Sequence, residues 1–223
     1  LLSSDFFYSL LRRFLAVLST HNLSVIKRDR LLFDDINLSV DAGSLLYVTG
    51  PNGAGKTSLL RVLSGLVEAD HGDVFFNEEN IQVCTESFQQ QLIYFGHKLG
   101  INGTLSAVEN LRYWCDSHHV STDIGTIYQV LENLNLVGLE DIPTSNLSAG
   151  QQRRTALARF WLKSTAKLWI LDEPFTALDT QGIQILSAKL VEYLSNGGAV
   201  IMTSHQNLEL DYPTNELVLE YRI

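Results

Sequence analysis

The alternation of apolar and polar positions divides most of the chain into short strands and amphipathic helices. Residues 45–48 form an apolar run typical of a buried strand, and after it leucines recur at helical spacing, at Leu59, Leu60, Leu63 and Leu66. A glycine-rich stretch separates the two. The pattern predicts a strand, a tight loop and a helix in immediate succession.

Strands are predicted on both sides of this unit. Residues 23–26, 31–33, 36–40 and 74–76 form short runs with the apolar or alternating pattern of strands. Turn residues separate them, at 41–43 and 71–73. We therefore expect an antiparallel β-region that precedes and follows the glycine-rich loop.

From residue 92 onward, strands and helices alternate. Apolar runs at 92–95, 168–171 and 199–202 predict buried strands, and residues 149–161 and 182–194 predict helices. In the helix at 149–161, Arg153 and Arg154 lie on a different face from the apolar residues. Such alternation is typical of a mostly parallel sheet.

A more helical stretch interrupts this α/β pattern. Ser106 and Glu109 have the spacing of a capping box at the start of one helix, and residues 127–136 predict another. We interpret about residues 98–146 as a helical insertion between two halves of one α/β domain.

Residues 1–19 stand apart from residues 20–223, which we assign to that domain. Apolar residues recur there at helical spacing, but Arg12 and Arg13 lie in the middle of the segment. A signal peptide carries its charges before its apolar core. Two interpretations stay open: an amphipathic surface helix and an extension without defined structure.

Composition and charge exclude several classes of protein. Apolar residues make up 45% and charged residues 18% of the 223 residues, which are ordinary globular values. A net charge of −9 argues against a nucleic-acid partner. The two cysteines form no disulfide framework, and no apolar run is long enough to span a bilayer.

The glycine-rich stretch fits the phosphate-binding loop G-x-x-x-x-G-K-[ST]. Backbone N–H groups and a helix N-terminus would point at one anion there. Lys56 would reach the β- and γ-phosphates of a nucleotide, and the Thr57 hydroxyl would bind Mg²⁺. The candidate nucleotide-binding residues in this stretch are Gly50, Pro51, Asn52, Gly53, Ala54, Gly55, Lys56, Thr57 and Ser58.

Three further candidates lie at predicted strand ends. Asp172 and Glu173 directly follow the apolar run 168–171, and His205 follows the run 199–202. Ligands of open α/β sheets gather at the carboxyl edge of the strands. We expect Asp172 to bind Mg²⁺, Glu173 to activate a water molecule, and His205 to contact the γ-phosphate.

At this point the sequence resembles an ABC-type ATPase of the P-loop NTPase class. The phosphate loop, residues 147–151, residues 168–173, residues 177–179 and His205 occur in the order of that family's motifs. The resemblance implies ATP hydrolysis with Mg²⁺ by two such domains packed head to tail, each completing the other's site. It assigns that second contact to Ser148, Ala149, Gly150, Gln151 and Asp179, with Arg153 expected to flank it.

The amino-acid sequences of six segments resemble more closely those of the ATP-binding subunits of the haem exporters used in cytochrome c maturation. These segments are residues 50–60, 94–97, 105–111, 148–154, 168–179 and 202–206. The resemblance implies a peripheral subunit on the cytoplasmic face of the inner membrane, with integral membrane partners and without direct haem contact. Haem export and release of a haem-loaded chaperone stay open as functions.

The sequence departs from the common family pattern at three positions. Ala149 replaces a glycine, and His97 stands where a glutamine contacts Mg²⁺ and water. No aromatic residue that would stack on adenine is evident near residues 26–28, where the Arg28 guanidinium could stack instead. The alternatives to haem are an ABC ATPase for another substrate, a soluble ABC protein and a P-loop kinase or GTPase.

Overall fold

The computed structural model describes residues 16–204 and 210–221. In chain order its strands are β1 (Ala16–Lys27), β2 (Arg30–Ile36), β3 (Ser39–Asp41), β4 (Leu45–Thr49), β5 (His71–Phe76), β6 (Glu79–Asn80), β7 (Leu92–Phe95), β8 (Leu168–Asp172), β9 (Ala199–Thr203) and β10 (Thr214–Val218). The helices are α1 (Lys56–Leu63), α2 (Thr85–Gln91), α3 (Ala107–Ser117), α4 (Ile124–Asn133), α5 (Ala149–Leu157), α6 (Arg159–Leu162) and α7 (Thr180–Ser195). A short 3₁₀ turn, Thr144–Asn146, precedes α5.

The predicted parallel sheet is confirmed. Its strands lie in the order β10-β4-β9-β8-β7, and every neighbouring pair is parallel. Strands β8 and β9 are buried along their whole length, as their unbroken apolar runs predict. Their carboxyl ends coincide, because Asp172 pairs with Thr203.

The predicted antiparallel region is a second sheet. Strand β1 pairs antiparallel with β2, β3 and β5, and β5 pairs with β6. Apolar residues of this sheet and of α1 form one core with one face of the parallel sheet; among them are Leu18, Phe33, Leu59, Leu63 and Phe76. The phosphate loop thus lies where two sheets meet one helix.

Two expectations for this sheet were wrong. Residues 16–19, which the helical spacing grouped with the N-terminal segment, belong to β1 and pair with β3 and β5. The alternating run 36–40 is not one strand, because β2 ends at Ile36 and β3 begins at Ser39. At the break, the Asn37 side chain bonds to the backbone of Asn22 and Asp35. Residues 1–15 lie outside the described residues.

The helical insertion contains α3 and α4, which pack on each other and on α6. The capping box is confirmed, because the Ser106 hydroxyl accepts from Glu109 N and the Glu109 carboxylate accepts from Ser106 N. Helix α4 begins at Ile124, earlier than expected, because the Asp123 carboxylate caps it. None of the described helices is long and apolar enough to cross a membrane.

Candidate active site

The phosphate loop joins the end of β4 to the start of α1. Gly50 has φ 134°, and a Cβ there would lie 2.2 Å from the carbonyl oxygen of Leu219. Only glycine fits both conditions. The loop is closed internally as well, since Ala54 N donates to the Pro51 carbonyl. This backbone geometry is what the sequence motif requires.

Lys56 is directed into the curve of the loop. Its Nζ donates to the carbonyls of Gly50, at 2.6 Å, and Pro51, at 3.2 Å, and the residue is only 9% exposed. The two groups that hold this side chain in the loop are neutral carbonyls. The Lys56 ammonium is suited to an anionic ligand.

Thr57, Asp172 and Thr203 form a chain of hydrogen bonds across the sheet edge. The Thr57 hydroxyl donates to Asp172 Oδ2 at 2.8 Å, and the Thr203 hydroxyl donates to Asp172 Oδ1 at 2.8 Å. Asp172 is 3% exposed and Thr203 1%. Both carboxylate oxygens are therefore held in fixed positions at the start of α1.

The donor set fits Mg²⁺. This ion prefers oxygen ligands and is commonly held by one or two protein groups together with water and phosphate oxygens. Thr57 and Asp172 offer a hydroxyl and a carboxylate whose oxygens are already adjacent. These two residues would hold the ion next to the phosphates.

Glu173 follows β8 and lines the cleft beside the loop. Its backbone N–H donates to the Thr203 hydroxyl at 3.0 Å, and its Oε2 accepts from the Thr176 hydroxyl at 3.2 Å. The two adjacent carboxylates thus bond to different groups. Their roles as metal ligand and general base stay a prediction.

A cleft of about 540 Å³ opens in front of these groups. Its phosphate end is formed by the loop, α1 and Glu173. Its other end is formed by Lys27, Arg28, Arg30 and Leu32, at the hairpin between β1 and β2. None of the described residues that line the cleft is aromatic. Arg28 and Asp29 form the two-residue turn, with φ 52° and 59°.

The residues predicted to serve a second subunit lie elsewhere. Ser148 and Gln151 form a capping box at the start of α5, and neither these two nor Ala149 and Gly150 line the cleft. Asp179 caps α7 through Gly182 N and pairs with Arg154 at 3.8 Å. The structure does not bring these residues to the phosphate loop of the same chain.

The two candidate histidines have different outcomes. His97 is exposed and comes two residues after Phe95. Phe95 pairs with Leu171, the residue before Asp172. The position of His97 is thus near the carboxyl end of β8. His205 lies outside the described residues.

Sequence reasoning missed Thr203 and expected a different role for Arg153, beside the contact with a second subunit. Thr203 bridges Asp172 and Glu173, and the polar residue that ends the apolar run of β9 was the available signal. Arg153, expected on a polar helix face, is 5% exposed. Its guanidinium donates to the carbonyls of Glu173 and Pro174, and burial lowers its pKa, against the opposing effect of the Glu173 and Asp172 charges.

Known proteins resemble this chain in sequence. The family model described as ABC transporter matches residues 33–176. The cytochrome c biogenesis ATP-binding export protein CcmA of Idiomarina loihiensis is 49% identical over 207 residues, which cover 92% of this chain and 94% of that protein. The protein of the same name from Vibrio cholerae is 44% identical over 197 residues, covering 88% and 95%.

Solved structures share the fold. The ATP-binding subunit of an ABC transporter superposes with a TM-score of 0.80 at 23% identity, covering 91% of this chain and 85% of that one. A dimeric bacterial ABC transporter cassette superposes with a TM-score of 0.80 at 18% identity, covering 91% and 94%.

Proposed function

The chain belongs to the ABC transporter family of ATP-binding proteins, and on that premise we propose that it hydrolyses ATP for a membrane complex of cytochrome c biogenesis. The observation that carries the hydrolytic part is the hydrogen-bonded chain Thr57–Asp172–Thr203 beside the phosphate loop, with Glu173 next to it. The names of the relatives from Idiomarina loihiensis and Vibrio cholerae support the part concerning cytochrome c.

Each group at the sheet edge has one task in this proposal. Lys56 and the N–H groups of the loop bind the β- and γ-phosphates, and Thr57 and Asp172 hold Mg²⁺, which when bound neutralises charge on the phosphate oxygens. Glu173 accepts a proton from, or orients, the attacking water. His205 contacts the γ-phosphate.

A second subunit completes the site. Ser148 to Gln151 present a hydroxyl, backbone N–H groups and the N-terminus of α5, which suit an anion, but they do not line the cleft of their own chain. We therefore infer a head-to-tail homodimer in which these residues, with Asp179, meet the ATP held by the partner. A family member solved as a dimer supports this arrangement.

Membrane subunits dock on the helical insertion in this proposal. A second cavity, of about 610 Å³, lies there and is lined by apolar and aromatic groups of residues 100–118, including Ile101, Leu105 and Trp114. Tyr113 at its rim is 71% exposed. Exposed apolar groups around a cavity are typical of an interaction site. The subunit would lie on the cytoplasmic face of the inner membrane and use ATP for haem export or for release of a haem-loaded chaperone.

Docking can be tested by co-purification. We expect Tyr113→Ala to reduce recovery of the chain with its co-expressed membrane subunits, whereas Tyr128→Ala, an exposed tyrosine of the same insertion outside the cavity, leaves recovery unchanged. Equal recovery of both variants would place docking elsewhere. Haem absorbance of the purified complex, and its change on ATP addition, tests the substrate.

The shared site can be tested with two inactive variants. Subunits carrying Ser148→Arg and subunits carrying Lys56→Ala each form homodimers without an intact composite site. Mixing them gives a heterodimer with one intact site, so we expect ATP hydrolysis to reappear. A heterodimer that forms, shown by two different affinity tags, but hydrolyses no more ATP than either parent would contradict a composite site that works alone.

A further inference from the structure

The backbone of Glu173 lies in the left-handed region, with φ 52°. For a residue other than glycine this conformation costs about 1–2 kcal/mol. It persists only where surrounding groups hold it. The direction of the Glu173 carboxylate therefore depends on contacts made by its main chain, not on its side chain alone.

Two side chains hold this main chain, one at the N–H of Glu173 and the other at its carbonyl. The Thr203 hydroxyl accepts from Glu173 N, and the Arg153 guanidinium donates through Nη2 to Glu173 O and through Nε to Pro174 O, the latter at 3.0 Å. Arg153 is buried and lies over the Phe95 ring, 5.1 Å from its centre. A planar guanidinium that donates to two successive carbonyls fixes the orientation of both peptide groups.

Helix α5, which carries Arg153, also lies close to residues 177 and 179. Near the start of α5, a Cβ on Gly150 would lie 3.1 Å from the Ala177 carbonyl, and Arg154 pairs with Asp179. Residues 173–179 therefore follow α5 as one unit. Arg153 is the member of this unit that contacts the peptide of Glu173 itself.

We propose that Arg153 is a positioning residue, which holds the peptide of Glu173 so that the carboxylate faces the nucleotide of its own subunit. The inference rests on the proposed function, in which the start of α5 meets the partner's ATP. Any displacement of α5 by that contact is then carried through Arg153 to Glu173. The contacts from α5 through Arg153 to Glu173, all within one subunit, would thereby link the two nucleotides of the dimer.

The first test compares Arg153→Met with Lys163→Met. Lys163 is also a buried cation that donates to two main-chain carbonyls, those of Gln89 and Leu92, but at the opposite end of β7. We expect both variants to melt at lower temperature. Only Arg153→Met should lower kcat, by about tenfold or more, with KM for ATP within about twofold; Arg153→Lys, which keeps a donor, should recover part of kcat.

The second test separates this role from damage to the start of α5. In the heterodimer of Ser148→Arg and Lys56→Ala subunits, the working site uses the phosphate loop and Glu173 of the Ser148→Arg chain and α5 of the other. We expect Arg153→Met to abolish most activity when added to the Ser148→Arg chain. Added to the Lys56→Ala chain, whose Glu173 is not used, it should lower the rate far less.

A larger loss of activity with Arg153→Met on the Lys56→Ala chain than on the Ser148→Arg chain would overturn the inference. A kcat for Arg153→Met equal to that of Lys163→Met would also overturn it. A wild-type chain without ATPase activity, alone and with its membrane subunits, would instead contradict the proposed function. The two failures are therefore distinguishable.

Discussion

At the phosphate end of the cleft, Lys56, Asp172 and Thr203 are buried. Hydrogen bonds of 2.6–2.8 Å hold Lys56 to the Gly50 carbonyl and join Asp172 to Thr203 and to the exposed Thr57. The other end of the cleft, where the nucleotide base would lie, is called the base end. Its lining side chains of Lys27 and Arg28 are exposed and lie at the hairpin between β1 and β2. The first region is fixed before a ligand arrives, whereas long exposed side chains of the second must be ordered by it, at an entropic cost.

The phosphate end therefore determines how tightly a nucleotide binds, and the base end determines which base is preferred. Charge-assisted bonds to phosphate form against a preorganised frame, so they supply most of the binding free energy. The described lining of the base end offers a guanidinium to stack on any base and no aromatic ring. We therefore expect tight binding of triphosphates with little discrimination between adenine and guanine.

The largest effect is expected from Glu173→Gln. The amide keeps the shape but cannot accept a proton, so ATP hydrolysis should fall by roughly 100-fold or more, while ATP affinity stays within about twofold. Phosphate release and calorimetry measure the two quantities. Glu192→Gln, at an exposed position on α7, is the control. Hydrolysis by Glu173→Gln at the wild-type rate would contradict the assignment of Glu173 as the general base.

Lys56→Ala should weaken nucleotide binding at the phosphate end. Loss of hydrogen bonds from a charged group costs about 1.5–3 kcal/mol, or roughly 10- to 150-fold in Kd. Because the lost contacts are to phosphate, ATP and GTP should be affected equally in calorimetry. Unchanged affinity would contradict the role of the loop, and Lys189→Ala on α7, a lysine that does not line the cleft, is the control.

Thr203→Val should act on the hydrogen-bond frame and not on a contact with ATP. The substitution keeps the volume but leaves Asp172 Oδ1 and Glu173 N without the hydroxyl, at a cost of about 1–3 kcal/mol in stability. We expect kcat to fall by about tenfold and the Mg²⁺ concentration needed for half-maximal activity to rise. Thr203→Ser keeps the hydroxyl and should retain activity; equal losses in both variants would show that only packing matters.

The smallest effect is expected at the base end. A stacked, exposed guanidinium contributes about 0.5–1 kcal/mol, so Arg28→Ala should weaken ATP and GTP binding by only about two- to fivefold. The ratio of the two Kd values should stay within about threefold in both proteins. A wild-type preference for ATP above about tenfold would show that another group reads the base.

Local patterns allowed the phosphate end to be predicted. The glycines, Lys56 and Thr57 lie in one short motif, and Asp172 follows an apolar run that can only be a buried strand. Thr203 could not be assigned a role, because its bond to Asp172 depends on which strand lies beside β8 and in which register. Arg153 was misplaced on a polar face because helical periodicity does not report that residues 173 and 174 pass over that face.

The other errors have a similar origin. Strand β10 is mostly exposed at the sheet edge, so it lacks the apolar run by which β8 and β9 were found. Residues 16–19 follow a helical spacing but are drawn into β1 by pairing with β3 and β5. In both places tertiary pairing decides the conformation against the local pattern.

The position of β4 has a consequence for how the protein is made. Strand β4 leads into the phosphate loop, yet both strands that flank it, β9 and β10, come from the last quarter of the chain. Leu219, beyond β10, also bonds to Thr49 and closes the back of Gly50. Pairing between segments so distant in sequence is slow to form. During translation, the ribosome must therefore release the chain through β10 and Leu219 before the nucleotide site can assemble, and until then chaperones rather than ATP would meet its exposed strands.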